Sequence, residues 1–269
     1  MLAKDVARPF TKIDKDSQIP QAWETLEGRK ESHLVVVEDD VVIGIVSIKD
    51  FLFPIIDKAR RRHFARFYVS SIMTPNPISV KEDTPLVDVL RIMLEKGISS
   101  VLVYKEKPQF ADRIITKKDL LKNISKFPPS KVSDIGTMNN IITGSPGTKI
   151  NTAVSILKDK KISTLPIVER NRLIGYSDVR LISEFIITCY LDHPQHFHTI
   201  LKQATLEDIM RSPITVEPED TIQTIAPAIL RRNFKGAVIA REITPLGVVT
   251  ETDVAKYILS VLTKQSQQS

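Results

Sequence analysis

An internal repeat constrains this chain more than any other feature. A short entry string recurs as Arg8-Pro9-Phe10-Thr11, Asn76-Pro77-Ile78-Ser79, Asn140-Ile141-Ile142-Thr143 and Ser212-Pro213-Ile214-Thr215. Its hydroxyl residues stand 68, 64 and 72 positions apart. A period of this kind means one supersecondary unit used several times over. Downstream of each string, apolar residues return at spacings of three and four. They are Ile19, Ala22 and Leu26; Leu86, Val89 and Met93; Ile150, Ala153 and Leu157; Ile222, Ile225 and Ile229. That spacing predicts one buried helix face per repeat. Asp83-Thr84-Pro85 and Asp220-Thr221 carry the chemistry of helix starts, and Pro227 predicts a kink in the fourth helix.

Strand-forming runs follow at Leu34–Val37, Val101–Val103, Leu165–Val168 and Ala237–Ile239. Asp39-Asp40 and Arg170-Asn171 are suited to turn the chain into a second strand, and an apolar helical segment closes each unit. The expected fold class is α/β (α+β), with four β-α-β-β-α repeats at 1–62, 68–126, 131–191 and 204–264. A unit of about 60 residues buries too little surface to stand alone, so the repeats should pair. The stretch Lys126-Phe127-Pro128-Pro129-Ser130 reads as the break between modules 1–126 and 131–264.

The second strands end in a further motif, [ST]-x-x-D: Ser47-Ile48-Lys49-Asp50, Thr116-Lys117-Lys118-Asp119 and Thr250-Glu251-Thr252-Asp253. Three copies at matching repeat positions, with the unit described above, resemble the cystathionine-β-synthase (CBS) domain family. The resemblance spans nearly the whole chain. It implies two Bateman modules, each a pseudo-twofold pair of repeats, in a layout similar to the γ regulatory subunit of AMP-activated protein kinase. It also implies clefts for adenosine-containing ligands (AMP, ADP, ATP or S-adenosylmethionine, none obligatory). Each cleft joins the entry hydroxyl and strand of one repeat to the [ST]-x-x-D of its partner. The chemistry is sensible, because a carboxylate can accept both hydroxyls of a ribose diol. The plainer reading of each Asp is a cap on the helix that follows.

Carried across residue by residue, the first cleft joins Thr11, Ser32 and His33 to Thr116, Lys118 and Asp119. The second joins Ser79, Ser99 and Ser100 to Ser47, Lys49 and Asp50, and the third joins Thr143, Ser163 and Thr164 to Thr250 and Asp253. The fourth joins Thr215 and Lys235 to Ser177 and, where the other repeats have Asp, to Arg180. Guanidinium has no acceptor, and the third repeat counts one residue short between Gly175 and Ser177. The fourth cleft is therefore expected to be empty or to take only an anion. Lys49, Lys118 and His33 suit phosphates, so nucleotides should prefer the first module. The third cleft suits adenosine with a less anionic tail, such as S-adenosylmethionine.

The remaining features exclude more than they assign. A single cysteine, Cys189, rules out an intrachain disulfide and a Cys-based zinc site. His193, His196 and His198 cluster around Pro194 without a known ligand spacing, so no metal is expected. The chain has neither a Gly-rich phosphate loop nor a catalytic constellation, so an enzyme is not expected. Lys and Arg number 38 against 32 Asp and Glu, a formal charge of +6, with the densest basic run at 58–66. Nucleic-acid binding through that charge is one alternative function. Another is a scaffold subunit of an enzyme with structural nucleotides. The partners expected are an adenosine-type small molecule, a protein and a second copy of this chain, but not a membrane. The location expected is cytoplasmic, since MLAKDVARPF lacks the apolar core of a signal peptide.

Overall fold

The computed structural model describes residues 1–56 and 66–267. The basic run at 58–66 therefore lies outside the described residues, except for Arg66. The chain divides into two compact units. One is Met1–Phe127 with the C-terminal stretch from Val254, and the other is Pro128–Asp253.

In the first unit, repeat 1 runs β1 (Arg8–Pro9), β2 (Lys12–Asp14), α1 (Ile19–Gly28), β3 (His33–Glu38), β4 (Val41–Ser47) and α2 (Ile48–Ile56). Repeat 2 runs β5 (Thr74–Pro75), β6 (Ser79–Lys81), α3 (Leu86–Glu95), β7 (Ser100–Tyr104), β8 (Arg113–Thr116) and α4 (Lys117–Lys122). The second unit opens with α5 (Val132–Ile135) and β9 (Thr137–Met138). Then come α6 (Ile150–Asp159), β10 (Thr164–Glu169), β11 (Arg172–Asp178), α7 (Val179–Asp192) and α8 (Phe197–Gln203). Repeat 4 supplies β12 (Thr215–Val216), α9 (Ile222–Arg232), β13 (Gly236–Arg241) and β14 (Thr244–Thr250), followed by α10 (Glu251–Gln267), whose residues from Val254 belong to the first unit.

The repeats exchange their entry strands. Strand β5 of repeat 2 pairs with β4 of repeat 1, giving the sheet β2-β3-β4-β5, while β1 pairs with β8 in the sheet β1-β8-β7-β6. The second unit repeats the exchange in β12-β13-β14-β9, beside the two-stranded sheet β10-β11. This explains why a single repeat is not self-sufficient: its outer sheet edge is covered by its partner's chain. Between the two sheets of the first unit, Val35, Leu102, Ala111 and Ile114 form a buried cluster, with Ile45 and Tyr104 packed against it.

Every helix-face residue expected from the periodicity is buried, from Ile19 and Leu86 to Leu157 and Ile229. Trp23 meets Phe51 edge-on in the same core, with ring centroids 5.6 Å apart. Both two-residue turns have positive φ throughout, 48° and 63° at Asp39 and Asp40 and 49° and 64° at Arg170 and Asn171. This is the geometry that twists a hairpin correctly, and Asp and Asn tolerate it well. Helix α3 begins after Pro85, which has no side-chain cap, so Asp83 and Thr84 do not cap it. Thr221 does cap α9, accepting from Thr224 N–H, and that helix continues through Pro227 to Arg232.

Two expected alignments are corrected by strand register. In the parallel pairs, Ser79 lies opposite Leu102 and Thr215 opposite Val238, but it is Lys12 that lies opposite Val35. Thr11 instead matches Ile78 and Ile214, whose carbonyls likewise accept from the neighbouring strand. The entry string of repeat 1 is thus shifted by one residue. That is why eight residues separate Thr11 from Ile19 where the other copies have seven.

The second correction concerns repeat 3. His33 pairs with Ser47, Ser100 with Thr116 and Gly236 with Thr250, and the corresponding pair is Thr164 with Asp178. A second pattern agrees. The first helical N–H after each strand donates to a carbonyl four times over: Ile48 to Ser32, Lys117 to Ser99, Val179 to Ser163 and Glu251 to Lys235. Asp178, not Ser177, therefore stands where the other repeats have Ser or Thr. The repeat is not short, and three residues further on is Leu181, not Arg180.

Candidate functional site

In each [ST]-x-x-D motif the Asp carboxylate reaches back to the Ser or Thr at the start of the helix that follows, and at Thr116 the cap is reciprocal, with Asp119 N–H donating to Thr116 Oγ1 at 3.3 Å. Ser47 N–H and Oγ both donate to Asp50 Oδ2 at 2.7 Å. Thr116 N–H and Oγ1 donate to Asp119 Oδ2 at 3.0 and 2.6 Å. Thr250 N–H and Oγ1 donate to Asp253 Oδ2 at 2.9 and 2.7 Å. The plainer reading is thus present in all three, and the cap uses one oxygen of each carboxylate. What can bind depends on the other oxygen, Oδ1.

At Asp119 that oxygen is also engaged. Arg8 Nε donates to it at 2.7 Å and Lys122 Nζ at 3.2 Å. Asp119 is almost fully buried, and its two oxygens accept four donors, the ordinary capacity of a carboxylate. Arg8 is held from its other side as well, with Nη1 and Nη2 donating to Glu31 Oε1 and Oε2 at 2.8 and 2.6 Å. Lys118 Nζ reaches the Lys30 carbonyl at 3.2 Å. The helix start of repeat 2 thus meets the entry strand of repeat 1 through Arg8, whose side chain engages the second oxygen of Asp119. Nothing in the motif spacing pointed to Arg8.

Asp50 differs. It is half-buried, and among the described residues no hydrogen bond reaches its Oδ1. Burial raises its carboxyl above the ordinary carboxylate range. The bonds from Ser47 and the field of Lys49 pull the other way without cancelling this. Lys49 itself is exposed. His33 and Ser99, expected in different clefts, meet across the repeat boundary, with His33 Nε2 and Ser99 Oγ 2.8 Å apart. His33 is buried, while Ser79 and Ser100 are partly exposed at the entry and central strands.

In the second unit, Asp253 and Thr164 are buried, Thr250 is half-buried and Thr143 is exposed. The fourth expected cleft is rebuilt by the register correction. Asp178 is fully buried and caps α7, accepting from Arg180 and Leu181 N–H, both at 2.9 Å. It also accepts from Tyr176 Oη at 3.0 Å and Lys235 N–H at 3.1 Å. Burial pushes the Asp178 carboxyl upward, and burial beside Asp178 pushes the Tyr176 phenol well up. Tyr176 stacks on Phe234 with centroids 4.6 Å apart, so an aromatic pair fills the space beside this helix start. Lys235 Nζ lies 3.3 Å from Glu251 Oε2. Ser177 is wholly buried on the opposite strand face from Asp178, Arg180 is buried in the first turn of α7, and Thr215 is exposed.

Among the described residues, no group of three or more His, Cys, Asp or Glu is placed to hold a metal ion, and no helix is long and apolar enough to cross a membrane.

Four β-α-β-β-α repeats paired through their entry strands define a tandem-repeat α/β protein. The CBS domain model matches residues 3–57, 69–126, 132–184 and 206–260, and the chain belongs to the CBS domain family. It is similar to uncharacterized protein MJ1225 of Methanocaldococcus jannaschii, with 26% identity over 261 residues, 89% of this chain and 91% of that one. The crystal structure of MJ1225, a protein proposed as an archaeal homologue of g-AMPK, superposes with a TM-score of 0.80 at 22% identity. The match covers 96% of this chain and 100% of that one. Uncharacterized protein MJ0450 of the same organism is 30% identical over 146 residues, 51% of this chain and 78% of its own. A conserved protein from Pyrococcus horikoshii shares the fold, with a TM-score of 0.63 at 18% identity over 96% of this chain and 100% of that one.

Proposed function

We propose that this protein is a non-catalytic sensor of an adenosine-containing ligand, AMP, ADP, ATP or S-adenosylmethionine. Its cleft in the first unit is formed by Ser47 and Asp50 with Ser79, Ser99 and Ser100. The observation that carries this reading is the state of Asp50. The cap engages Oδ2 alone, and Oδ1 accepts no hydrogen bond among the described residues. A ribose hydroxyl donates to such an oxygen, and Lys49 supplies charge for a phosphate. The corresponding cleft of the second unit joins Thr143, Ser163 and Thr164 to Thr250 and Asp253, and it suits a less anionic ligand because no lysine precedes its Asp. A ligand that binds one packing state of paired repeats better than another shifts their equilibrium, and a protein partner reads that shift in the cytoplasm. The test is calorimetric titration with AMP, ATP and S-adenosylmethionine. AMP should bind the wild type and lose at least about tenfold in affinity in Asp50→Ala, the loss of one hydrogen bond to a charged group. Equal binding by both proteins refutes the assignment.

A further inference from the structure

The two [ST]-x-x-D carboxylates of the first unit are chemically alike, yet both oxygens of Asp119 are engaged, whereas among the described residues no hydrogen bond reaches Oδ1 of Asp50. The difference traces to one register position on the exchanged entry strands. Arg8 pairs with Ile114 on β8, two residues before the capping Thr116. The same position on β4 is Ile45, two residues before Ser47, and its partner is Thr74. On β14 it is Val248, two before Thr250, and its partner is Thr137. Thr74 and Thr137 are exposed, and neither side chain has the length or the forked donors of arginine. Among the described residues, Arg8 is seen to bridge such a carboxylate to a second acid, Glu31, while Arg211 stands at the matching position opposite Tyr176 in the repeat whose carboxylate position is Leu181.

We infer that Arg8 is the specificity-determining residue of the first unit, a tethered occupant that holds the Asp119 cleft shut and leaves Asp50 as its one ribose acceptor. This rests on the reading of the clefts as adenosine sites. The guanidinium Nε takes the oxygen a sugar hydroxyl would use, and its two Nη atoms are held by Glu31 in a bidentate fork. Such forks are strong and geometrically exacting. Two carboxylates, Glu31 and Asp119, already match the guanidinium's donors on both sides. Arg8 is thereby distinguished from a phosphate-binding arginine, whose donors would face open space.

The test counts AMP bound to the full chain by equilibrium dialysis with labelled nucleotide, with thermal melting of each variant as the check on folding. Arg8→Ala should bind one more AMP per chain than wild type, and Arg8→Ala with Asp119→Ala should lose that extra equivalent. Asp119→Ala alone should leave the wild-type count unchanged, which tests the inference even if Arg8→Ala folds poorly. The converse variant, Thr74→Arg, should lower the count by one by closing the Asp50 cleft. An unchanged or lower count in folded Arg8→Ala, or a lost equivalent in Asp119→Ala alone, overturns the inference. Wild type binding no AMP while Arg8→Ala binds one would refute the Asp50 assignment and support Arg8 as the occupant. No binding by either overturns both.

Discussion

Replacing Asp178 with alanine removes a fully buried acceptor on which four donors converge: Arg180 N–H, Leu181 N–H, Tyr176 Oη and Lys235 N–H. Loss of the helix cap costs about 1 kcal/mol. The phenol and the Lys235 amide each remain buried without that acceptor, at roughly 1–3 kcal/mol apiece. The sum is about 3–7 kcal/mol, the range of the large single-site effects that come from breaking a buried polar network. For a domain of this size that lowers the melting temperature by roughly 10 °C or more. Asp220→Ala is the control. Asp220 Oδ2 accepts from Glu217 N–H at 2.8 Å on the surface, and its loss should cost under about 1 kcal/mol. Urea denaturation at neutral pH measures both. A cost for Asp178→Ala no greater than that of Asp220→Ala would refute the reasoning.

The same carboxyl gives a pH test of definite sign. Burial raises its folded pKa above the unfolded value, so between those two values the native state holds a proton that the unfolded chain has released. Stability from this group is greatest at the acid side of that window and declines as pH rises through it. Asp178→Asn cannot titrate and lacks the decline. The wild type should therefore lose stability relative to Asp178→Asn as pH rises from the ordinary carboxylate range through the raised folded pKa. A gap constant with pH, or one that moves the other way, contradicts the burial argument.

Three further outcomes are expected. Asp50 is the stronger ribose acceptor when ionised, and its pKa is raised by burial. AMP affinity measured by calorimetry should therefore weaken on acidification from a higher pH than an ordinary carboxylate would give. Gly236→Ala should destabilise sharply in thermal melts, because its Cβ would clash with the Val249 carbonyl oxygen of the paired strand, and Gly44→Ala should cost less, because its Cβ meets the flexible Met73 side chain. Lys12→Ala should change stability by under about 0.5 kcal/mol, because its bond to Asp40 is an exposed surface pair.

The repeat, the helix faces and the hairpin turns were legible because each leaves a local signature: a period, a spacing of three and four, or a pair of residues that accept positive φ. Register was less legible, since it is set by which carbonyl an N–H finds across a strand. In repeat 3 the hydroxyl of Ser177 drew the alignment one residue early. Aspartate caps a helix as well as threonine does, so Asp178 fills that position without resembling its counterparts. Thr11 misled in the same way, because its side-chain chemistry matched while its carbonyl, the group that pairs, matched that of Ile78. Arg8 and Asp119 are 111 residues apart, and only the strand exchange brings them together.

The [ST]-x-x-D motif invites a choice between a structural cap and a ligand contact, but the geometry makes the choice unnecessary. A carboxylate offers two oxygens, and a cap needs only Oδ2. All three motifs use it identically, so the cap explains the shared sequence pattern and cannot by itself distinguish the sites. What differs is the second oxygen, which at Asp119 accepts from Arg8 on the neighbouring repeat's exchanged strand as well as from Lys122. Arg8 engages it at Asp119, while at Asp50 the corresponding strand residue is Thr74, which is too short to do the same. In repeat 3 the capping position carries the Asp itself, the carboxylate position becomes Leu181, and Tyr176 with Phe234 fills the volume. Copies of one capped turn thus differ in what meets the capping carboxylate's second oxygen, through residues on the neighbouring repeat's strand or at the turn itself. Pairing repeats by strand exchange lets these choices change without altering the fold, since Arg8 and Thr74 both lie on entry strands whose pairing is made by the backbone.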